Sequence, residues 1–276
     1  MLNIRRIPIS ALAGILVTLL FVLAAIFTPW IAPYPDAAIV GDVWAPASAA
    51  HWLGTDNLGR DLLTRLLYGA RITLFIAFLA TVLSFTLGAS LGFSAAVVGG
   101  WFDELLSRFV DLIMSIPTLI FALVVLSVLP STTLTLILVM GVLDSTRVFR
   151  ISRAVAVDIN VMDFVEAAKL RGEGRLWIIF REILPNALSP LVAELGLRFI
   201  FAILFLSALS FLGLGVQPPE SDWGGMVKDN KDGIVFGIPA ALLPAAAISI
   251  LAISVNLVAD WILNRPTDLK GGRGNA

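Results

Sequence analysis

The sequence predicts an all-α integral membrane protein with six transmembrane helices, and three observations carry that expectation. Apolar residues make up 58% of the chain, charged residues only 14%, and the mean hydropathy is +0.94, far outside a soluble domain of this size. The stretches Leu112–Leu143 and Ile234–Ala259 contain no charged residue. Runs long enough for the roughly 20 apolar residues that cross a hydrocarbon core fall near 11–33, 73–99, 106–129, 132–150, 189–212 and 238–262. A β-barrel also satisfies every backbone group in lipid, but it requires alternating hydrophobicity, and these runs are apolar on all sides.

The first run follows Arg5 and Arg6, as the core of a signal peptide would. It extends from Ala11 to Pro33, beyond the roughly 7 to 15 residues of a signal core, so it is expected to remain as the first membrane helix. Ahead of the second run, leucines at 62, 63, 66 and 67 with Arg65 and Arg71 beside them suit an amphipathic helix lying in the membrane interface. Within the second run, Gly88 and Gly92 form a small-xxx-small pattern that marks helix packing. The uncharged stretch 112–143 is too long for one span. Pro130 followed by Ser131, Thr132 and Thr133 supplies a turn with a ready cap, making the third and fourth helices a tight hairpin. In the fifth run Glu194 and Arg198 stand four apart on one helix face, where they can pair. Charges at the midplane cost about 2.5 to 3.5 kcal/mol each on insertion scales, so this intramembrane pair is a functional candidate, with a structural pair as the alternative.

Cationic loops tend to stay in the cytoplasm. With the N-terminus inside, Arg5, Arg6, Arg108, Arg147, Arg150, Arg153, Lys169, Arg171, Arg175, Arg181, Arg265, Lys270 and Arg273 are cytoplasmic, 13 of the 19 Lys and Arg residues. Arg60, Arg65, Arg71, Lys228 and Lys231 fall outside. The expected organisation is a cytoplasmic tail 1–10, a six-helix domain 11–262 and a cytoplasmic tail 263–276. The domain carries extracytoplasmic loops 34–72 and 213–237 and a cytoplasmic loop 151–188.

That cytoplasmic loop holds a polar island, 161–185, carrying Asp163, Glu166, Lys169, Arg171, Glu173, Arg175, Arg181 and Glu182. Asp163 and Glu166 have the spacing of a capping pair, and Gly172 stands where a left-handed residue would close a helix. The expectation is a short helix near 164–171, a glycine turn and a second helix near 175–183 ended by Pro185. Ser189 and Pro190 then restart the chain as cap and first residue of the next span. Ala167 and Ala168 would let this surface approach a partner closely. The bland reading is an ordinary loop whose charges only obey the orientation rule.

The chain has no cysteine and one histidine, His51, which excludes disulfides, thiolate chemistry and a histidine-rich metal site. Thr55 to Asp61 is rich in oxygen ligands but lacks the calcium-loop spacing, so no metal site is expected.

Glu166-Ala167-Ala168, followed after three residues by Gly172 and later by Leu184-Pro185, resembles the EAA loop of ATP-binding-cassette (ABC) importer permeases. Two further segments, His51-Trp52-Leu53-Gly54-Thr55-Asp56-Asn57-Leu58-Gly59-Arg60-Asp61 and Leu209 to Pro219 (LSFLGLGVQPP), are similar to hallmarks of the peptide/nickel subfamily, in particular its dipeptide and oligopeptide "C" type. The resemblance implies a type I importer permease fold in a bacterial or archaeal inner membrane. It also implies a second permease subunit, two cytoplasmic ATPase subunits and an extracytoplasmic solute-binding protein, with no nucleic-acid partner. Asp163, Glu166, Ala167, Ala168, Gly172, Leu184 and Pro185 would couple to the ATPases, and Pro218, Pro219, Asp222 and Trp223 would contact the binding protein, although the segment 213–238 also reads as a plain solvated loop. The sequence contains no Gly-Lys dipeptide and so no G-x-x-x-x-G-K-[ST] phosphate loop. No catalytic residue or cofactor is expected on this chain, and ATP and Mg would be used by the partner subunits. Peptide cargo is the expectation, with nickel or a small conjugate such as an opine as the alternative. A secondary carrier would need ionisable groups at the midplane and an internal repeat, and a channel would need no docking island.

Overall fold

The computed structural model describes residues 8–263. Arg5, Arg6, Arg265, Lys270, Arg273 and most of both expected tails lie outside the described residues. Every named element among those described is helical, with two isolated bridges, Ile39 to Arg60 and Thr55 to Asp61, as the strand-like pairings. The order is α1 (Ile9–Ile31), α2 (Leu62–Val98), α3 (Gly100–Met114), α4 (Thr118–Val128), α5 (Thr133–Asn160) and α6 (Asp163–Leu170). There follow α7 (Arg175–Trp177), a π-helical turn (Ile178–Ile183), α8 (Leu184–Phe211), α9 (Trp223–Asn230) and α10 (Leu242–Leu263).

Four helical runs are long and apolar enough to cross a membrane: Ile9–Ile31, Leu62–Val98, Arg175–Phe211 and Pro239–Leu263. The pair α3 and α4, bent by 82°, makes a fifth. The remaining expected span is α5, which has the length, 28 residues or about 42 Å, but carries Asp144, Arg147, Arg150 and Arg153 along it. Six spans is therefore an approximate count.

Two boundaries differ from the sequence reading. The leucine stripe at 62–67 does not form a helix in the interface but is the first part of α2, because Asp61 caps that helix by accepting the Thr64 amide at 2.8 Å. Leu62 and Arg65 are buried. The third span is not straight: Pro117, which has no amide hydrogen and disfavours helix in the residue before it, separates α3 from α4. The hairpin turn is as expected, with Thr132 capping α5 through its hydroxyl at 3.2 Å from the Thr135 amide.

The most extensive helix contact is α2 on α5. Gly88 and Gly92 sit in it: a Cβ on Gly88 would lie 2.6 Å from the Ser145 carbonyl oxygen, and one on Gly92 would lie 2.7 Å from that of Phe149. The backbones meet, as the small-residue pattern predicts. α1 packs on α2 and α10, and α8 on α2, α5 and α10. One buried cluster, including Ile76, Leu136, Met140, Ile203, Leu206 and Trp223, fills the end of the bundle near the loops before α2 and around α9. A second, with Phe93, Ile159, Val165, Ile178 and Ile183, fills the opposite end beside α6. The bundle thus has a loop end and an α6 end.

Candidate functional site

The polar island folds as a helix, a glycine turn and a second helix. α6 begins at Asp163, but its cap residue is Met162, and no side chain caps it. Asp163 is itself helical, so it cannot take the cap position, and the expected Asp163 to Glu166 capping box does not form. Both acids instead stand in the first turn, where the helix dipole favours negative charge. At the other end Gly172 has φ +82°. Its amide donates to the Lys169 carbonyl at 2.9 Å and the Glu173 amide to the Ala168 carbonyl at 3.2 Å, the paired bonds of a Schellman closure. Nothing lies within 4 Å of a Cβ built there, so backbone conformation, not space, requires the glycine.

Val165 and Ala168 are fully buried, three apart on the face that α6 turns to its own bundle. Of the two alanines expected to meet a partner, only Ala167 is exposed. Asp163 and Glu166 share the open side with Phe164 and Leu170, whereas the partly buried Leu184 packs against the cluster under α6 and Pro185 is exposed. Arg171 bridges the turn: it lies 3.9 Å from both Glu173 and Glu182, with its guanidinium 5.8 Å from the Trp177 ring centre.

Pro185 does not end the second helix, and no restart occurs at Ser189. Arg175 to Phe211 is one continuous helical run with Pro185 and Pro190 inside it. A proline ring crowds the carbonyl four residues earlier and cannot donate to it. Here the turn before Pro185 is widened, with the Leu184 amide reaching back five residues to the Ile179 carbonyl, a known accommodation of such a defect. α6 is thus joined to a transmembrane helix through the four residues Arg171 to Gly174 and one unbroken helix.

At the loop end the expected contact residues separate into two groups. Pro218 and Pro219 are exposed, and Pro218 lines a cavity of about 260 Å3 together with Glu220 and Lys228. Asp222 and Trp223 are completely buried and cannot meet a partner. Asp222 caps α9 by accepting the Gly224 and Gly225 amides at 3.0 and 3.3 Å. The Trp223 indole donates to the Leu66 carbonyl at 3.0 Å, and its backbone amide to the Thr73 hydroxyl at 3.1 Å. Arg65 reaches across the same region, to Asp36 at 2.9 Å and the Pro219 carbonyl at 3.2 Å. In the 55–61 segment, which lacks the calcium-loop pattern, the carboxylates are already used: Asp56 accepts from Leu58 and from Arg60, and Asp61 from Thr64 with His51 at 3.0 Å.

Burial pushes the Asp222 carboxyl up to about 6, against the hydrogen bonds from Ser210 and the two glycine amides that favour the anion. The folded state therefore holds the proton more tightly than the unfolded chain. The extra stability is full below the unfolded value of 3.8 and is lost as pH rises through 6, a change of about 3 kcal/mol. Asp222→Asn, which keeps an acceptor for the cap, is expected to remove that pH dependence between 4 and 6. Thermal midpoints of the detergent-solubilised protein across this range, compared with wild type, check it.

Within the spans, Glu194 and Arg198 do pair, Oε1 to Nε at 2.7 Å. The structure adds a partner that the sequence reading missed: Arg198 Nη1 donates to Asp144 Oδ1 on α5 at 3.2 Å, and Ser84 on α2 donates to Asp144 Oδ2 at 3.4 Å. The signal was available, since Asp144 is the one acidic residue in the expected span 132–150, but its partner stands 54 residues away.

An all-helical bundle of several apolar spans, with a short surface helix joined to one of them, defines a multi-pass membrane protein. Residues 88–266 match the family described as the binding-protein-dependent transport system inner membrane component, and the chain belongs to that family, the permease components of binding-protein-dependent ABC transporters. It is 40% identical over 253 residues to a putative peptide transport system permease protein of Brucella suis, covering 90% of this chain and 84% of the relative. It is 35% identical to a di/tripeptide transport system permease protein of Pseudomonas aeruginosa, over 92% and 86% of the two chains. It is 30% identical to a glutathione transport system permease protein of Pectobacterium atrosepticum, over 93% and 86%.

Proposed function

We propose that this chain is one permease subunit of an importer for peptides or peptide-like solutes, driven by ATP and Mg in separate ATPase subunits that dock on α6. The observation that carries the coupling is the seating of α6: Val165 anchors it in the bundle, the Gly172 closure fixes its exit, and the run 175–211 connects it to a span. Movement of a docked ATPase would be transmitted through packed helices that rock between outward-open and inward-open states. The α6 end is then cytoplasmic, as are both termini. The loop end faces the binding protein, with Pro218, Pro219, Glu220 and Lys228 as its contact. A second permease completes the pathway in the inner membrane. Peptide cargo is supported by the names of the relatives above.

Glu166→Lys reverses a charge on the open face of α6, and Gly172→Pro forbids the positive φ of its closure. Both variants are expected to insert normally and to lose ATP-driven uptake by roughly tenfold or more, equivalent to about 1.4 kcal/mol of coupling. Uptake into vesicles reconstituted with the copurifying subunits checks this, and wild-type uptake by both variants would remove α6 from the coupling path.

A further inference from the structure

Arg147, which the orientation rule alone puts in the cytoplasm, lies 14 residues from the start of α5 and 13 from its end, about 20 Å from either, and therefore near the bilayer midplane if α5 spans it. Arg198, 13 residues before the end of α8, is at the same depth. The two arginines are not equivalent. Arg198 touches both Asp144 and Glu194 and its side chain is 18% exposed. Arg147 comes only within 3.7 Å of Asp144 and is 32% exposed. Its guanidinium rests 4.4 Å from the Phe201 ring centre and donates to the Thr118 hydroxyl at 3.3 Å, which holds it at the junction of α3 and α4 without neutralising it.

Arg150, one turn further along the same side of α5, is exposed and donates to Met114 Sδ on α3 at 3.8 Å. Two cavities follow this side, about 30 Å3 at Arg147 and about 290 Å3 at Arg150, Arg153, Ser107 and Asp111. Arg153 is taken up by a two-pronged ion pair with Asp103, leaving Arg147 and Arg150 as the incompletely matched cations. Hydrocarbon is a poor environment for either, and charges at this depth face a protein interior or water. The exposed apolar residues Leu134, Leu138 and Val142 belong to the other side of α5. Leu138 is nine residues from Arg147, about half a turn round the helix at about 100° per residue.

We infer that the α3–α5 face bearing Arg147 and Arg150 borders the aqueous path through the membrane, and that the two guanidinium groups receive a carboxylate of the cargo as it passes. Arginine matches a carboxylate with paired donors, and Asp111 on the same wall suits the face to a zwitterion. The cargo class rests on the peptide-importer reading above.

The chain contains no cysteine, so single substitutions report without background. Arg147→Cys, Arg150→Cys and Leu138→Cys are each treated, in membrane fragments open on both sides, with an anionic, membrane-impermeant thiosulfonate. Positions 147 and 150 are expected to react roughly tenfold faster than 138, since hydrocarbon excludes the reagent. With Arg147 intact, millimolar alanyl-alanine should slow reaction at position 150 by about twofold or more, whereas its C-terminal amide, which lacks the charge that Arg recognises, should not. Equal reactivity at 147 and 138 would overturn the aqueous path, and equal protection by acid and amide would overturn the carboxylate contact. Neither readout needs ATP or transport. Failure of the importer reading would show separately, as absent ATP-dependent uptake with labelling unchanged.

Discussion

Gly88→Leu is expected to abolish recovery of folded, monodisperse protein. A Cβ at this position would stand 2.6 Å from the Ser145 carbonyl oxygen, 2.6 Å from Val148 Cβ and 2.9 Å from the Phe149 amide nitrogen. Two of the three are backbone atoms of the facing helix and cannot rotate away. Overpacking that side chains can absorb costs about 1 to 3 kcal/mol; here α2 and α5 must separate along the most extensive contact in the bundle, so the cost should exceed about 3 kcal/mol. Gly174→Ala is the control, because nothing lies within 4 Å of its Cβ and its φ is −74°. Size-exclusion profiles and thermal midpoints in mild detergent compare the two. Equal behaviour would mean that the helices do not approach as closely as described.

The second large effect concerns Arg198. Arg198→Met leaves Asp144 and Glu194, whose side chains are 9% and 13% exposed, without the cation that touches both. Removing one partner of a buried ion pair costs about 3 to 5 kcal/mol, because the remaining charge is stranded. Adding Asp144→Asn to Arg198→Met should recover part of the loss, since the amide can still accept from Ser84 and no longer carries charge. If the double variant is no more stable than Arg198→Met alone, Asp144 is not held by Arg198 in the way the 3.2 Å contact indicates.

Much of the α6 region was legible in the sequence because it is local chemistry. Gly172 was assigned a left-handed backbone from its place after a helical stretch and has φ +82°. The Pro-Ser-Thr-Thr run offers a cap without saying which residue, and Thr132 supplies it. The start of α6 was misjudged by one residue, since cap and first helical residue differ only in backbone angles. Pro185 was read as a stop because a proline usually is. The widened turn that carries the helix through it depends on where the neighbouring helices hold the chain.

Asp222 and Trp223 show where sequence reading fails for a different reason. A charged and an aromatic residue in a loop are compatible with a docking surface, and their burial is decided by Leu66 and Thr73, more than 140 residues away in the chain. The sequence by itself determined the membrane class, the approximate spans, the helix–turn–helix island and the close approach at Gly88 and Gly92, because apolarity, backbone preference and side-chain size act at each position separately. Only the tertiary structure decided that Ala168 faces inward, that Asp144 completes the Arg198 pair, that Asp222 and Trp223 lie in the core and that Arg147 and Arg150 remain incompletely matched, because burial and charge neutralisation belong to neighbours that folding brings together from distant parts of the chain.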